Sequence, residues 1–114
     1  MKKFLKVMKA LSDKNRLKIV KMLQHKEMLC VCEIQAGLGL AQSTVSKHLK
    51  LLEDAELVIY EKDGLWVNYS LNHKPDNPYS ATMLGNLRCW LEDEQEIVEL
   101  IKKLPELDRA YLCN

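Results

Sequence analysis

The sequence predicts one mainly helical domain that carries a β-hairpin, and three observations support this fold class. A chain of 114 residues, 47% of them hydrophobic, can build one compact core but not two. Four long segments have hydrophobic residues at helical spacing. Between the third and the fourth lie two β-rich runs joined by Asp63-Gly64, a pair that favours tight hairpin turns. We therefore treat residues 1–114 as a single domain.

Two helices are predicted at the N-terminus. Residues 2–11 place their apolar side chains on one face and lysines on the rest. Ser12 is the expected N-cap of a second helix over residues 13–25, because its hydroxyl can accept a hydrogen bond from a free backbone N–H.

A helix-turn-helix is predicted at about residues 30–55. The segment 30–38 is long enough for a short helix, and either Gly37 or Gly39 can adopt the positive φ of a helix end. Residues 41–55 form the most regular helical pattern of this half, with an apolar stripe opposite small polar and basic residues. Two short helices joined by a glycine turn are typical of helix-turn-helix motifs.

A β-hairpin is predicted at about residues 57–71. Its strands are Leu57–Lys62 and Trp66–Leu71, with Asp63-Gly64 between them. A hairpin directly after a helix-turn-helix makes a winged helix, whose wing tip could reach a DNA groove. The alternative is a hairpin that only covers the core.

One long helix is predicted from Pro78 to about Leu104, with Asn77 as its N-cap and Pro105 ending it. Its apolar surface exceeds what one helix needs against a small domain. Together with the helix over 2–11, it is a plausible dimer face. A symmetric dimer would also suit DNA, because two recognition helices must lie about 34 Å apart to enter successive major grooves.

The charge is unevenly distributed along the chain. Residues 1–50 contain 11 Lys/Arg and 3 Asp/Glu, a balance of +8, whereas residues 51–114 contain 6 and 13, a balance of −7. Such asymmetry suggests a basic surface that binds phosphates, with solvated helix surfaces as the alternative. No apolar run approaches ~18 residues, so no membrane span is expected. No signal peptide is evident, so we expect a cytoplasmic protein with reduced cysteines.

The two cysteines before the predicted recognition helix are the strongest chemical signal. Cys30 and Cys32 form a Cys-x-Cys pair, which in a reducing compartment is more often a metal site than a disulfide. Residues two apart in a helix point ~200° away from each other, so the sulfurs can converge only where the chain is extended or entering a helix. A helix N-terminus also favours thiolate, which selects soft metals and metalloids.

Two sulfurs do not complete such a site, and the sequence leaves the third ligand open. Cys113, near the C-terminus, and Cys89, on the polar face of the last predicted helix, are the candidates. Each could instead be a spectator thiol. The three histidines are isolated and show no metal-ligand spacing.

The DNA-binding residues are expected on the second helix of the helix-turn-helix and on the wing. Small polar and basic residues there could contact base edges and phosphates. The candidates are Gln42, Ser43, Thr44, Ser46, Lys47, His48, Lys50, Lys62 and Gly64.

Several motifs in one order resemble the ArsR/SmtB family of bacterial metal-sensing repressors. The run from Leu5 to Leu23, with its Ala-Leu-Ser-Asp, resembles the opening of the family. The run Leu-Cys-Val-Cys-Glu-Ile at 29–34 resembles the Glu-Leu-Cys-Val-Cys-Asp-Leu signature of its arsenic-sensing members. The run from Gln42 to Leu52 resembles the recognition helix, and the run from Asp63 to Leu71 resembles the wing.

The resemblance implies a homodimeric winged-helix repressor that joins through its N- and C-terminal helices. Such a repressor binds operator DNA and is released when As(III) or Sb(III), or another thiophilic ion, binds Cys30 and Cys32. The arsenic-sensing pattern has a third cysteine where this chain has Gln35. Three alternatives are open: Cys89 or Cys113 replaces the missing sulfur, the site has only two protein thiolates, or the inducer differs. The Asp/His pattern of the family's zinc sensors is absent from the last predicted helix.

Two other functions remain open from the residues. A disulfide within Cys30/Cys32, or between either and Cys113, could make a redox-sensing repressor. The chain could also be a DNA-binding protein without a ligand. An enzyme is not expected, because the sequence shows no nucleophile–base pair and no phosphate-binding loop.

Overall fold

The structure, a computed structural model, describes residues 1–108. These residues form six α-helices, three strands and one 3₁₀ turn. In chain order the elements are α1 Lys2–Leu11, α2 Lys14–His25, β1 Leu29–Cys30, α3 Val31–Leu38, α4 Gln42–Asp54, β2 Val58–Asp63, β3 Trp66–Leu71, α5 Pro78–Leu87, α6 Gln95–Lys103 and the turn Leu104–Glu106. The mainly helical fold with a hairpin is confirmed. Among these residues, no helix is both long and apolar enough to pass through a bilayer.

The helix-turn-helix is formed by α3 and α4, as predicted. Gly39 ends α3 with φ of 69°, a left-handed conformation that glycine adopts without strain. Gly37 has a different role, because an added Cβ would lie 2.7 Å from Cε of Met22. A glycine at this position therefore lets α3 pack closely against α2. The apolar stripe of α4 is fully buried: Val45, Leu49 and Leu52.

The wing is a three-stranded antiparallel sheet with the order β1-β3-β2. β2 and β3 pair from Val58 with Leu71 to Asp63 with Trp66, and Gly64 turns the chain with φ of 61°. The hairpin is thus confirmed. The short β1, which the sequence did not reveal, pairs Cys30 with Asn68. Cys30 consequently lies where a strand ends and α3 begins.

The prediction of one long C-terminal helix is wrong. The chain leaves α5 after Leu87 and re-enters a helix at Gln95, with Leu91 at φ of 68° in the break. The buried Lys21 of α2 stabilises this break, because its ammonium donates to the carbonyls of Leu87 at 2.7 Å and Trp90 at 2.9 Å. Carbonyls at a helix end have no partner within the helix, and Lys21 supplies one.

The break lets α6 fold back against α2. This packing buries the apolar residues that seemed in excess on a single helix: Ile97, Leu100 and Leu104. Much of the surface assigned to a dimer face from the sequence therefore belongs to the core of one chain.

Candidate DNA-binding surface and thiol site

The polar face of α4 is exposed, as a DNA-reading helix requires. Of the predicted contacts on this helix, Gln42, Ser43, Thr44, Ser46, Lys47 and Lys50 are exposed. Because the opposite stripe of α4 is buried in the core, the helix can present only this face outward.

The lysines of this surface differ in their neighbours. Lys50 lies 3.2 Å from a carboxylate oxygen of Asp54 and 3.6 Å from one of Glu53, and its hydrogen bond and ion pair with Asp54 raise its pKa. Lys47 has no carboxylate partner within residues 1–108. The charge of Lys47 is therefore the more available for a phosphate.

The wing tip carries the other two predicted contacts. Lys62 and Gly64 are both exposed, and Leu65 beside them is 98% exposed. A basic residue next to an unburied apolar one at a hairpin tip is suited to a groove edge, where apolar side chains can contact bases.

His48 is the predicted DNA contact that the structure does not place on this surface. Its side chain is 15% exposed, and its Nδ1 lies 3.1 Å from Nη1 of Arg16. The sequence analysis missed Arg16, which joins α4 to the start of α2. Local spacing gives no sign of this contact, since the two residues are 32 positions apart.

The N-cap of α2 is Asp13, not the predicted Ser12. The carboxylate of Asp13 accepts a hydrogen bond from the backbone N–H of Arg16 at 3.0 Å. Ser12 is instead the C-cap of α1, where its hydroxyl donates to the carbonyl of Lys9. Both residue types make good N-caps, so the sequence alone could not choose between neighbours.

Cys30 is the N-cap of α3 and is buried, with 1% of its surface exposed. Its sulfur accepts a hydrogen bond from the backbone N–H of Glu33. In return, the carboxylate of Glu33 accepts from the backbone N–H of Cys30 at 2.9 Å. This is a capping box in which a thiol replaces the usual hydroxyl. The spacing Cys-x-x-Glu was a signal for it in the sequence.

Burial of Cys30 raises the pKa of its thiol, and the adjacent Glu33 carboxylate adds to the shift. Glu33 itself is buried and lies 3.3 Å from the ammonium of Lys26, which also donates to the carbonyl of Leu107 at 3.2 Å. The sequence-based expectation of thiolate is therefore wrong for Cys30, because burial and a negative neighbour outweigh the helix N-terminus. The buried thiol is held in its protonated form.

The remaining cysteines are in different states. Cys32, the second residue of α3, is half-buried and takes part in a disulfide. Cys89 is an exposed thiol after α5. Cys113 lies outside the described residues. Within residues 1–108, no group of three or more Cys, His, Asp or Glu side chains could hold a metal ion, so Cys89 does not complete a site with Cys30 and Cys32 there.

The start of α3 carries two sulfur atoms, the thiol of Cys30 at the cap and the disulfide sulfur of Cys32 inside the first turn. Because α3 packs directly against α4, a change at this cap can reach the exposed polar face.

Known proteins are similar to this chain in sequence and in fold. The family described as bacterial regulatory protein, arsR family, matches residues 13–60. The chain is 34% identical over 113 residues to the arsenical resistance operon repressor of Escherichia coli (strain K12), a match that covers 96% of this chain and 95% of that protein. It is 42% identical over 67 residues to the cadmium resistance transcriptional regulatory protein CadC homolog of Staphylococcus aureus, which covers 59% of this chain and 55% of that protein.

A solved structure supports the fold independently. HlyU from Vibrio cholerae N16961 superposes with a TM-score of 0.63 at 31% sequence identity, over 77% of this chain and 91% of that chain. The fold, with its exposed α4 and its wing, agrees with this structure, and the sequence matches a relative over nearly the whole length of that relative. Sequence and fold therefore indicate the same family. The chain belongs to the arsR family of bacterial regulatory proteins.

Proposed function

We propose that this protein is a dimeric repressor that binds operator DNA and is released when trivalent arsenic or antimony binds the thiols at the start of α3. The single observation that carries the proposal is the double role of Cys30, whose sulfur is both a soft ligand and the cap of the helix that supports α4. The similarity to an arsenical resistance operon repressor supports the choice of arsenic.

The coupling follows from the cap. A sulfur bonded to arsenic must turn toward its ligand, so it can no longer accept the hydrogen bond from the Glu33 backbone N–H at the start of α3. Loss of an N-cap costs typically ~1 kcal/mol, and ligand-imposed strain adds to this. A tenfold to thousandfold loss of operator affinity requires about 1.4–4 kcal/mol of coupling. A disturbed cap together with a tilted α4 can supply a difference of that size.

The protonated thiol of Cys30 suits this chemistry. Arsenous acid, As(OH)₃, condenses with a thiol to form an As–S bond, and the thiol proton leaves with a hydroxide as water. No net proton is released, so a raised thiol pKa does not oppose binding. A divalent ion such as Cd²⁺ must displace the proton into solution, and its binding weakens as the thiol pKa rises. The Cys30 environment therefore favours the metalloid over the divalent ion.

The proposed dimer uses α1 and α5. Phe4 and Tyr79 pack edge to face, with ring centroids 5.3 Å apart, yet each stays 41% exposed. Leu5 nearby is 45% exposed. An aromatic pair left half-open beside an exposed leucine is typical of an interface core. This surface replaces the larger one expected from a single C-terminal helix.

The test measures operator binding on the DNA upstream of the protein's own gene, with a phosphine reductant that does not bind arsenite. The reduced wild type should bind and be released by arsenite. Cys30→Ser and Cys32→Ser should bind the operator normally and resist release at arsenite concentrations 100-fold higher. Cys89→Ser is the matched control and should respond as the wild type does, whereas Cys113→Ser reports whether that residue supplies the third sulfur. Normal release of Cys30→Ser would move the inducer site elsewhere.

A second candidate function is redox sensing, which the disulfide of Cys32 favours. In this proposal, hydrogen peroxide accepts two electrons and two protons from the thiols of Cys32 and Cys113, giving two waters and a disulfide that changes the grip on DNA. Thiol counting by alkylation and mass spectrometry should then show loss of two thiols in the wild type and none in Cys113→Ser. If operator affinity does not change with peroxide but falls with arsenite, this alternative is excluded.

A further inference from the structure

The guanidinium of Arg16 connects three helices. Its Nε donates to the carbonyl of Ala10 at 2.7 Å and its Nη2 to the carbonyl of Lys9 at 3.2 Å, both at the C-terminal end of α1. Its Nη1 lies 3.1 Å from Nδ1 of His48 on α4. Arg16 itself belongs to the first turn of α2. One planar group therefore fixes the relative positions of α1, α2 and α4.

The hydrogen-bond roles of this contact follow from its two groups. A guanidinium has donors only, so Nδ1 of His48 accepts the hydrogen bond from Arg16. Asp13 is 4.0 Å from Nδ1, too far for a hydrogen bond.

Asp13 completes the cluster from the α2 side. Partial burial acts to raise its pKa, but the hydrogen bond from the Arg16 backbone N–H and the charge of the Arg16 guanidinium lower it below the ordinary value. Asp13 therefore stays ionised and holds Arg16 in place. Lys9 of α1 and Asp54 of α4 line a groove shared with Arg16, and they complete the charged surroundings.

Because His48 lies on α4, its contact with Arg16 can control the rotation of this helix about its axis. Residue 48 lies on the protein-facing side of the helix, and Ser43, Ser46 and Lys47 lie on the exposed side. A roll of α4 by about 10° would displace side-chain atoms about 5 Å from the helix axis by about 1 Å. Hydrogen bonds to base edges do not survive such a shift, because their length range is about 0.5 Å. Contacts to phosphates through flexible lysines tolerate it better.

We propose that Arg16 and His48 set the rotation of α4 and are positioning residues for sequence-specific operator recognition. The proposal rests on the proposed function, since it assigns α4 to the operator. It places no direct DNA contact on either residue. Its signature is a loss of specificity: affinity for the operator falls and affinity for unrelated DNA is retained.

The experiment compares Arg16→Lys, His48→Phe and His48→Asn on the operator and on unrelated duplex DNA at one salt concentration. Lysine keeps the charge but lacks the planar guanidinium whose fixed donors reach Ala10, Lys9 and His48 together. Phenylalanine fills the space without an acceptor, whereas the amide oxygen of asparagine can replace Nδ1. We expect Arg16→Lys and His48→Phe to bind the operator about tenfold more weakly with unchanged binding to unrelated DNA, and His48→Asn to bind within about twofold of the wild type.

His48→Asn is a readout that a merely structural role would not move, because its amide oxygen can replace Nδ1 as the acceptor from Arg16. Equal operator affinity in His48→Phe and His48→Asn would overturn the proposal, as would wild-type operator affinity in both Arg16→Lys and His48→Phe.

The outcomes separate this proposal from the proposed function. Wild-type protein that fails to bind its operator or to respond to arsenite contradicts the proposed function. Wild-type protein that does both, with variants indistinguishable from it, contradicts the positioning role alone. An equal loss on the operator and on unrelated DNA would make Arg16 a phosphate contact and also overturn the proposal. Should Arg16→Lys fail to fold, the pair His48→Phe and His48→Asn decides the question.

Discussion

The starts of α2 and α3 use the same local device with different chemistry. In each, an N-cap side chain accepts from the backbone of the residue three positions on, and the side chain of that third residue contacts another part of the fold. Asp13 caps α2, and its partner Arg16 reaches His48 on α4. Cys30 caps α3, and its partner Glu33 reaches Lys26. The two caps therefore differ in their acceptor, which is a carboxylate at α2 and a sulfur at α3.

The two caps show that one small domain can contain both a carboxylate cap, which does not react with thiophilic ions, and a sulfur cap, which is the proposed inducer ligand. A carboxylate cap keeps its charge and its hydrogen bonds in the presence of arsenite. A buried sulfur is a weaker hydrogen-bond acceptor than a carboxylate. Under the proposed function, it loses its hydrogen bond at the cap when it bonds to the inducer. Substitutions at each cap test this difference.

The largest effect on stability is expected from Asp13→Ala. The substitution removes the α2 cap and the carboxylate beside Arg16 and His48, so the free energy of unfolding should fall by about 2 kcal/mol. Urea titration followed by circular dichroism measures this. Asp13→Asn, which keeps a capping oxygen without the charge, should lose about half as much. Equal losses in the two variants would show that the charge alone matters.

A smaller loss is expected from Cys30→Ala, about 1 kcal/mol, because a thiol is a weaker cap than a carboxylate. The same urea titration applies, with arsenite added in parallel. The inducer should change the stability of the wild type and leave Cys30→Ala unchanged. Were Cys30→Ala more destabilised than Asp13→Ala, the ranking of the two caps would be reversed and the sulfur would be the main support.

Alkaline pH should affect the two caps differently. Burial raises the pKa of the Cys30 thiol above its ordinary value of 9.0, so the stabilisation is complete below that pH and is lost as pH rises from it toward the folded-state pKa. Unfolding free energies of wild type and Cys30→Ser across the alkaline range report this, because the contributions of tyrosines and lysines cancel in the difference. The wild type should lose stability relative to Cys30→Ser as pH rises. Parallel curves would mean that the Cys30 thiol does not titrate differently on folding.

The smallest effect is expected on the exposed face that both caps support. Lys47→Ala should weaken operator binding a few-fold and reduce the slope of log affinity against log salt by about one unit. Lys50→Ala is the matched control, because Lys50 is already paired with Asp54, and its slope should change less. An unchanged slope in Lys47→Ala would exclude a phosphate contact there.

The winged helix-turn-helix could be predicted because its signals are local. The apolar periodicity of 41–55, the glycine at 39 and the Asp63-Gly64 turn each constrain a few neighbouring residues, and the structure confirms all three. The Cys-x-Cys pair likewise placed the sulfurs at a helix entry from spacing alone. The failed prediction of one C-terminal helix has the same origin: no glycine or proline marks residues 88–94, although the acidic run before α6 is a recognisable helix-start signal.

The amino-acid sequence by itself therefore determined the element types, the turns and the position of the thiol pair. Only the tertiary structure decided where α5 ends, because Lys21 donates to the carbonyls of Leu87, its last residue, and of Trp90 in the break, from 66 and 69 positions away in the chain. It also decided that the Cys30 thiol stays protonated and that His48 faces Arg16. Each of these outcomes depends on burial and on partners distant in sequence, which local spacing does not encode.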